Sequence, residues 1–208
     1  MESYMTYGSR FGKLRSREKL LDLVGTLRPC NGDETVLDIG CGRGLTLIGA
    51  AKRLTSGQAK GIDLWRSEDQ AGNSPEATQE NAQREGVLNR ISIDTGDARK
   101  LPDPDCSFDV VTSHWVVHNS ANRHDRQVAL HEMLRLIRPG GMILLADITG
   151  SWCDVADDML TSPEVKIVLD TDILVAAARS ASGASRQVLL AGMDRRSVLL
   201  VSPALLLE

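Results

Sequence analysis

One stretch limits what this chain can fold into more than any other: Val36-Leu37-Asp38-Ile39-Gly40-Cys41-Gly42-Arg43-Gly44. A short apolar run stops in three glycines at alternate positions, and a helical pattern follows at once. The run is too short for a helix and reads as a buried parallel strand. Glycine lets the backbone turn tightly and lets a ligand approach with no Cβ in the way. The helix that follows turns its free N–H groups and positive dipole end back toward the bend. A strand, bend and helix in this order make a site for a nucleotide-type ligand.

The spacing narrows the ligand. A dinucleotide fingerprint is Gly-x-Gly-x-x-Gly, whereas here Gly40, Gly42 and Gly44 alternate and Leu45 follows. Acids stand beside the bend: Asp38 precedes the first glycine, and Asp63 closes the next apolar run, Ala59–Leu64. Between them Leu47, Ala50, Ala51 and Leu54 fall on one helical stripe. Ser74-Pro75 reads as a helix start, with Ser74 as N-cap and Gly86 as the stop. Ile91–Thr95 alternates like a strand and leads into Gly96-Asp97-Ala98. Phe108–Ser113 is a fourth strand, with His114–Asn119 at its carboxyl end, where ligands bind in open α/β sheets. A helix is expected over His124–Arg138, with Leu130, Met133, Leu134 and Ile137 on one stripe, then a turn at Arg138–Gly141 and a fifth strand over Met142–Asp147. Strands alternating with helices in this way imply a parallel, doubly wound sheet with right-handed crossovers.

Composition excludes several classes. The chain has 208 residues, 42% of them hydrophobic, which suits one α/β domain. A net charge of −4 gives no electrostatic case for binding nucleic acid, and no nucleic-acid partner is expected. Cys30, Cys41, Cys106 and Cys153 form no C-x-x-C pair, which fits a reducing compartment and offers no zinc framework. Cys41 reads as a small residue tolerated in a tight bend rather than as a nucleophile. No apolar run approaches the ~20 residues of a membrane span, and the start lacks the apolar core of a secretory signal, so a cytoplasmic location is the expectation.

On Val36–Gly44, Asp63 and Gly96-Asp97-Ala98, the chain resembles the class I S-adenosylmethionine (SAM)-dependent methyltransferases over about residues 12–148. Leu136–Gly141 resembles that family's phrase after the helix, and the subgroup it looks most like is the type 11, quinone-biosynthesis C-methyltransferase group. The resemblance implies a Rossmann-like, mostly parallel sheet flanked by helices, with SAM as cofactor. Its cofactor-binding positions correspond here to Asp38, Gly40, Cys41, Gly42, Gly44, Asp63, Leu64, Asp97, Ala98, Ser113 and His114. Asp63 would hold the ribose hydroxyls, Asp97 would lie near the adenine amino group, and Asp38 near the amino-acid end. Ser113 and His114 would line the methyl-donor face through backbone carbonyls. The implied activity is in-line transfer of a methyl group to a small-molecule acceptor, with no metal. His118 is the one candidate base, set against an ordinary structural histidine, so no catalytic residue is assigned.

Three segments follow. Residues 1–28 form an N-terminal helical segment in which Tyr4, Tyr7 and Phe11 are placed to help cover the cofactor. Its basic cluster, Arg10, Lys13, Arg15, Arg17 and Lys19, suits a solvated helix face or a weak contact with an anionic membrane surface. Residues 29–150 are the SAM-binding domain. Residues 151–208 depart from the family, so the fold is expected to be truncated or altered after strand five. Val165–Val175 and Leu199–Glu208 resemble parts of a PIN-type nuclease domain, with Asp170 and Glu208 at its acid positions. Such a site needs three or four carboxylates around a hard cation, so the tail reads as a fragment whose segments 165–170 and 197–202 cover the edge of strand five. The alternative reading of the whole is a degenerate SAM-binding domain without turnover, because its carboxyl half is replaced. No feature specifies an oligomeric state.

Overall fold

The computed structural model describes residues 13–27, 30–68, 70–120, 122–146, 166–169 and 199–200. Its elements are α1 (Lys13–Leu27), β1 (Thr35–Ile39), α2 (Leu45–Arg53), β2 (Gln58–Asp63), α3 (Pro75–Arg84), β3 (Ile91–Thr95), β4 (Phe108–His114), α4 (Arg123–Leu136), β5 (Ile137–Ala146), β6 (Lys166–Leu169) and β7 (Leu199–Leu200). The strands form one sheet in the order β3-β2-β1-β4-β5-β6-β7, and every pairing is parallel. Strand order reverses between β1 and β4, which opens a crevice at their carboxyl ends.

Because helices cover both faces, the central strands are apolar on both sides. One face packs Leu37, Ile39, Val111, Ile143 and Leu145 against Leu130, Met133 and Leu136 of α4. The other packs Val36, Val110, Met142 and Leu144 with Leu21 and Val24 of α1 and Leu47, Ala51 and Leu54 around α2. The Ser74 hydroxyl accepts from the Ala77 amide at 3.1 Å, with Pro75 in the first helical position, as its sequence pattern predicts. Asn122 caps α4 by accepting from the Asp125 amide at 2.9 Å.

The junction between α4 and β5 differs from the expected one. The helix ends at Leu136, not Arg138, and Ile137 already pairs with Phe108 in the sheet. The next pairs are Val110 with Met142 onward, so residues 138–141 loop out as an irregularity inside β5. The Arg138 guanidinium pins this bulge by donating to Asp109 Oδ2 at 2.8 Å and Thr35 Oγ1 at 2.9 Å. The buried end of the α4 stripe is therefore Leu136, while Ile137 is buried as a strand residue. Beyond β5, β6 adds in parallel through Met142–Lys166 to Leu145–Leu169, and β7 adds outside it. Asp170 and Glu208, on which the PIN-like resemblance depends, lie outside the described residues, as do Tyr4, Tyr7 and Phe11.

Candidate functional site

The bend after β1 is held by its surroundings at nearly every amide. Gly40 N–H and Cys41 N–H donate to Ile62 O at 2.7 and 3.2 Å, and Gly44 N–H to Cys41 O at 2.8 Å. Gly42 N–H donates to Asp63 Oδ2 at 2.8 Å, and Arg43 N–H to Gln70 Oε1 at 3.2 Å. From α3, the Thr78 hydroxyl donates to Gly42 O at 2.6 Å and the Asn81 amide to Arg43 O at 3.0 Å. Five consecutive amides, Gly40 to Gly44, are thus satisfied inside the protein. A pyrophosphate is bound by free amides of this kind; this loop has none to give and instead presents a fixed, narrow floor. Gly40 has φ +69°, and a Cβ there would run into the Val116 side chain.

Two clefts open above that floor. The smaller, about 180 Å³, is lined by Ile39, Gly40, Asp63, Leu64, Arg66, Asp97, Ala98 and Arg99, with Val116 and Asn119 opposite. The larger, about 610 Å³, is lined by Asp38, Gly40, Cys41, Gly42, Gly44, His114 and Trp115, with Leu14 and Arg17 of α1. They share Gly40, Val116 and Asn119. Of the residues predicted from sequence, Asp63, Leu64, Asp97 and Ala98 gather in the first, and Asp38, Cys41, Gly42, Gly44 and His114 in the second, with Gly40 at the junction. The three acids therefore line two adjoining half-clefts that meet over Gly40 rather than one undivided cavity. Ser113 lines neither: it is 2% exposed between Ile39 and Leu145, and its hydroxyl has no hydrogen-bond partner.

The acids differ in setting. Asp38 is 2% exposed, and Thr112, its neighbour across the sheet, donates to Oδ1 at 2.6 Å. Burial pushes its carboxyl up to about 7, against the Thr112 hydrogen bond and the Leu47 amide, with the charge of Asp63 adding to the rise. Asp63 accepts from Trp65 N–H at 2.7 Å and Asn73 Nδ2 at 3.1 Å on Oδ1, besides Gly42 on Oδ2. Asp97 takes Arg99 Nε and Nη2 at 3.0 and 2.6 Å, and these bonds hold its carboxyl below the usual range. Arg99 also reaches Asp125 at the start of α4, at 2.9 Å, so it ties the two walls of the smaller cleft together. Burial, with the nearby Asp38 and Asp63, pushes the Cys41 thiol far up, which leaves it protonated and packed against Gly61.

At the carboxyl end of β4 the chain bends sharply. Trp115 has φ +59°, a left-handed conformation for a bulky residue, and its ring stacks on His114 with centroids 5.2 Å apart. This bend puts Val116 over Gly40. His118 follows in a 3-10 turn, Val117–Asn119, and its side chain lies outside the described residues. The sequence reading put His114–Asn119 at the ligand-binding edge but singled out neither Val116 nor Asn119 within it, nor Arg17 of α1. No local pattern marks the first two, and Arg17 is hidden in a basic cluster.

Residues 36–141 match a family model described as a methyltransferase domain. The chain is 36% identical over 123 residues to methyltransferase GfsG of Streptomyces halstedii, covering 58% of this chain and 41% of that protein. It is 32% identical over 129 residues to 27-O-demethylrifamycin SV methyltransferase of Amycolatopsis mediterranei (strain S699), covering 62% of this chain and 44% of that one. The chain thus spans less than half the length of these relatives. Among solved structures, a candidate S-adenosyl-L-methionine-dependent methyltransferase of Methanococcus maripaludis superposes with a TM-score of 0.56 at 20% identity, over 76% of this chain and 68% of that one. That likeness is one of fold.

Proposed function

The chain belongs to the methyltransferase-domain family, and from that premise we propose that it binds S-adenosylmethionine and moves its methyl group to a small-molecule acceptor by in-line displacement. The observation that carries the reading is the loop whose amides are all engaged. It has no donors for a diphosphate but leaves an open floor between two half-clefts, which suits an adenosine joined through sulfur rather than through a diphosphate. Asp63, Leu64, Asp97 and Ala98 would hold the adenosine in the smaller cleft. Asp38, Cys41, Gly42 and Gly44 would face the amino-acid end in the larger, with Gly40 beneath the sulfur. His114 would line the methyl-donor face through its backbone carbonyl. Ser113 would act only through its backbone.

The chemistry asks little more of the protein than alignment. When nucleophile, methyl carbon and sulfur are held in line, pre-organisation can supply on the order of 7 kcal/mol or more of the barrier reduction. The curated relatives are named as methyltransferases, which supports turnover over a domain that only holds the cofactor. The Amycolatopsis relative is named for a small-molecule acceptor, 27-O-demethylrifamycin SV, so a small-molecule acceptor is the reading for this chain. No helix among the described residues is long and apolar enough to cross a membrane. Arg17 turns inward rather than joining an outward basic face, which weighs against the membrane-surface reading of α1.

Calorimetry with S-adenosylhomocysteine and with NADH tests the cofactor assignment: binding of the first and not the second is expected. Binding of NADH alone would overturn it. Transfer of radiolabel from methyl-labelled SAM to a panel of phenols, amines and hydroxylated polyketides then tests turnover.

A further inference from the structure

A third cavity lies between α1, α2 and the sheet, at the amino ends of the strands and so at the end opposite the two clefts. It measures about 250 Å³. Its walls are Leu21 and Val24 of α1, Leu54 after α2, and Val36 and Val110, which pair across β1 and β4. All five are buried. An apolar cavity of about 150 Å³ already stays dry and takes a benzene-sized guest, so this one has room for a hydrocarbon ring. Asp22, Gly25 and Cys30 line it and are exposed, which sets its mouth beside the last turns of α1. Glycine weakens a helix at such a position, and a Cβ on Gly25 would meet nothing within 4 Å. Close packing does not call for glycine there; its effect is to keep the mouth clear.

Three charged side chains line the cavity. Arg53 donates to Asp22 Oδ1 at 2.5 Å and to Glu18 Oε2 at 2.7 Å, so Arg53 and Asp22 answer each other at the rim. Glu34 differs. It is 6% exposed and accepts one amide on each oxygen, Asn31 N–H at 2.8 Å and Gly32 N–H at 3.1 Å. Among the described residues no cation pairs with it. The two amides fix the carboxylate in place, but they leave its charge unbalanced and leave lone pairs for further donors. A buried anion with apolar neighbours gains most from a cation that can donate to it. Hydrocarbon walls with one such acid match an ammonium carried on an apolar body.

We propose that this cavity is a second small-molecule site, which takes a primary ammonium joined to a ring-sized hydrocarbon. The ammonium sits on Glu34, and the hydrocarbon lies among Leu21, Leu54, Val36 and Val110. The site stands apart from the methyl-donor clefts and does not depend on their assignment.

The test compares benzylamine, benzyl alcohol and benzoate, which are close in size and differ in charge, by calorimetry on the full chain at neutral pH. Benzylamine should bind. The alcohol should bind roughly 10- to 100-fold more weakly, the range of a charge-assisted hydrogen bond, and benzoate not detectably. Glu34→Gln should bring benzylamine down to the level of the alcohol. Gly25→Leu, which a helix favours over glycine, should fill the mouth and remove the binding of both, while cooperative urea unfolding reports that the variant is folded. Equal affinity for amine and alcohol overturns the proposal. So does benzylamine binding that survives Glu34→Gln or Gly25→Leu, and so does the absence of benzylamine binding to the unaltered protein. Should Glu34→Gln fail to fold, the amine–alcohol comparison and Gly25→Leu decide the matter.

Discussion

Asp38 and Asp63 end neighbouring strands, yet their settings give them different work. Asp38 is buried with one hydroxyl donor, so its carboxyl is pushed up to about 7. Between about pH 4 and pH 7 the folded chain holds a proton there that the unfolded chain releases, so stability falls as pH rises through this window and levels off above it. Asp38→Asn should flatten that slope, as read by urea titrations at a series of pH values. An ammonium beside Asp38 favours the ionised form. Binding of S-adenosylhomocysteine should therefore release a proton and tighten roughly tenfold from about pH 6 to pH 8, whereas 5′-methylthioadenosine should show no such trend. Asp63, in contrast, is a latch: Gly42, Trp65 and Asn73 all donate to it. In Asp63→Asn a single carbonyl replaces two oxygens, so a donor loses its acceptor. A loss of about 1–3 kcal/mol is expected in urea titration, together with loss of binding.

Among elements, the bend after β1 and the bend after β4 form a facing pair. Gly40 combines φ +69° with a close Val116, so any Cβ there meets both a strained backbone and a filled space. Gly40→Ala should lower the melting temperature and abolish the stabilisation that S-adenosylhomocysteine gives. An unchanged ligand-induced shift would show that Val116 moves freely. The first bend was legible in the sequence because glycine spacing and the flanking acids are local signals. The helix stripes of α2 and the cap of α3 were legible for the same reason. The second bend was not: Trp115 takes a conformation usually left to glycine, and its residue type carries no sign of it. The α4–β5 junction was misread because Leu136 and Ile137 are both apolar, and periodicity alone does not show where a helical stripe becomes a strand. Arg17 was grouped with solvated charges because Gly49, against which its stem packs, lies in another element, α2. Ser113 was expected to act through its backbone carbonyl, and alternation turns its side chain to the α4 face of the core.

At the scale of the molecule, the parallel sheet continues past β5 through β6 and β7. An uncovered β5 would offer a row of unpaired backbone groups beside Met142, Ile143, Leu144 and Leu145, all fully buried. Removal of residues 151–208 should therefore yield a chain that aggregates on concentration, which light scattering would detect. A monodisperse truncated chain would show that β5 tolerates an open edge. The strands were readable up to β5, where the family phrase ends; beyond it the sequence holds strand-forming text without a register, and the pairing of Lys166–Leu169 with Met142–Leu145 comes from the structure alone.

The engaged amides of the glycine bend have one more consequence. A receptor whose floor is already tied down loses little freedom when a guest settles on it; adjustment falls to the opposite wall, where Trp115 is held in a costly conformation, on the order of 1–3 kcal/mol. Deuterium uptake at residues 40–44 should be slow and indifferent to S-adenosylhomocysteine, while uptake at 115–120 should drop once it arrives.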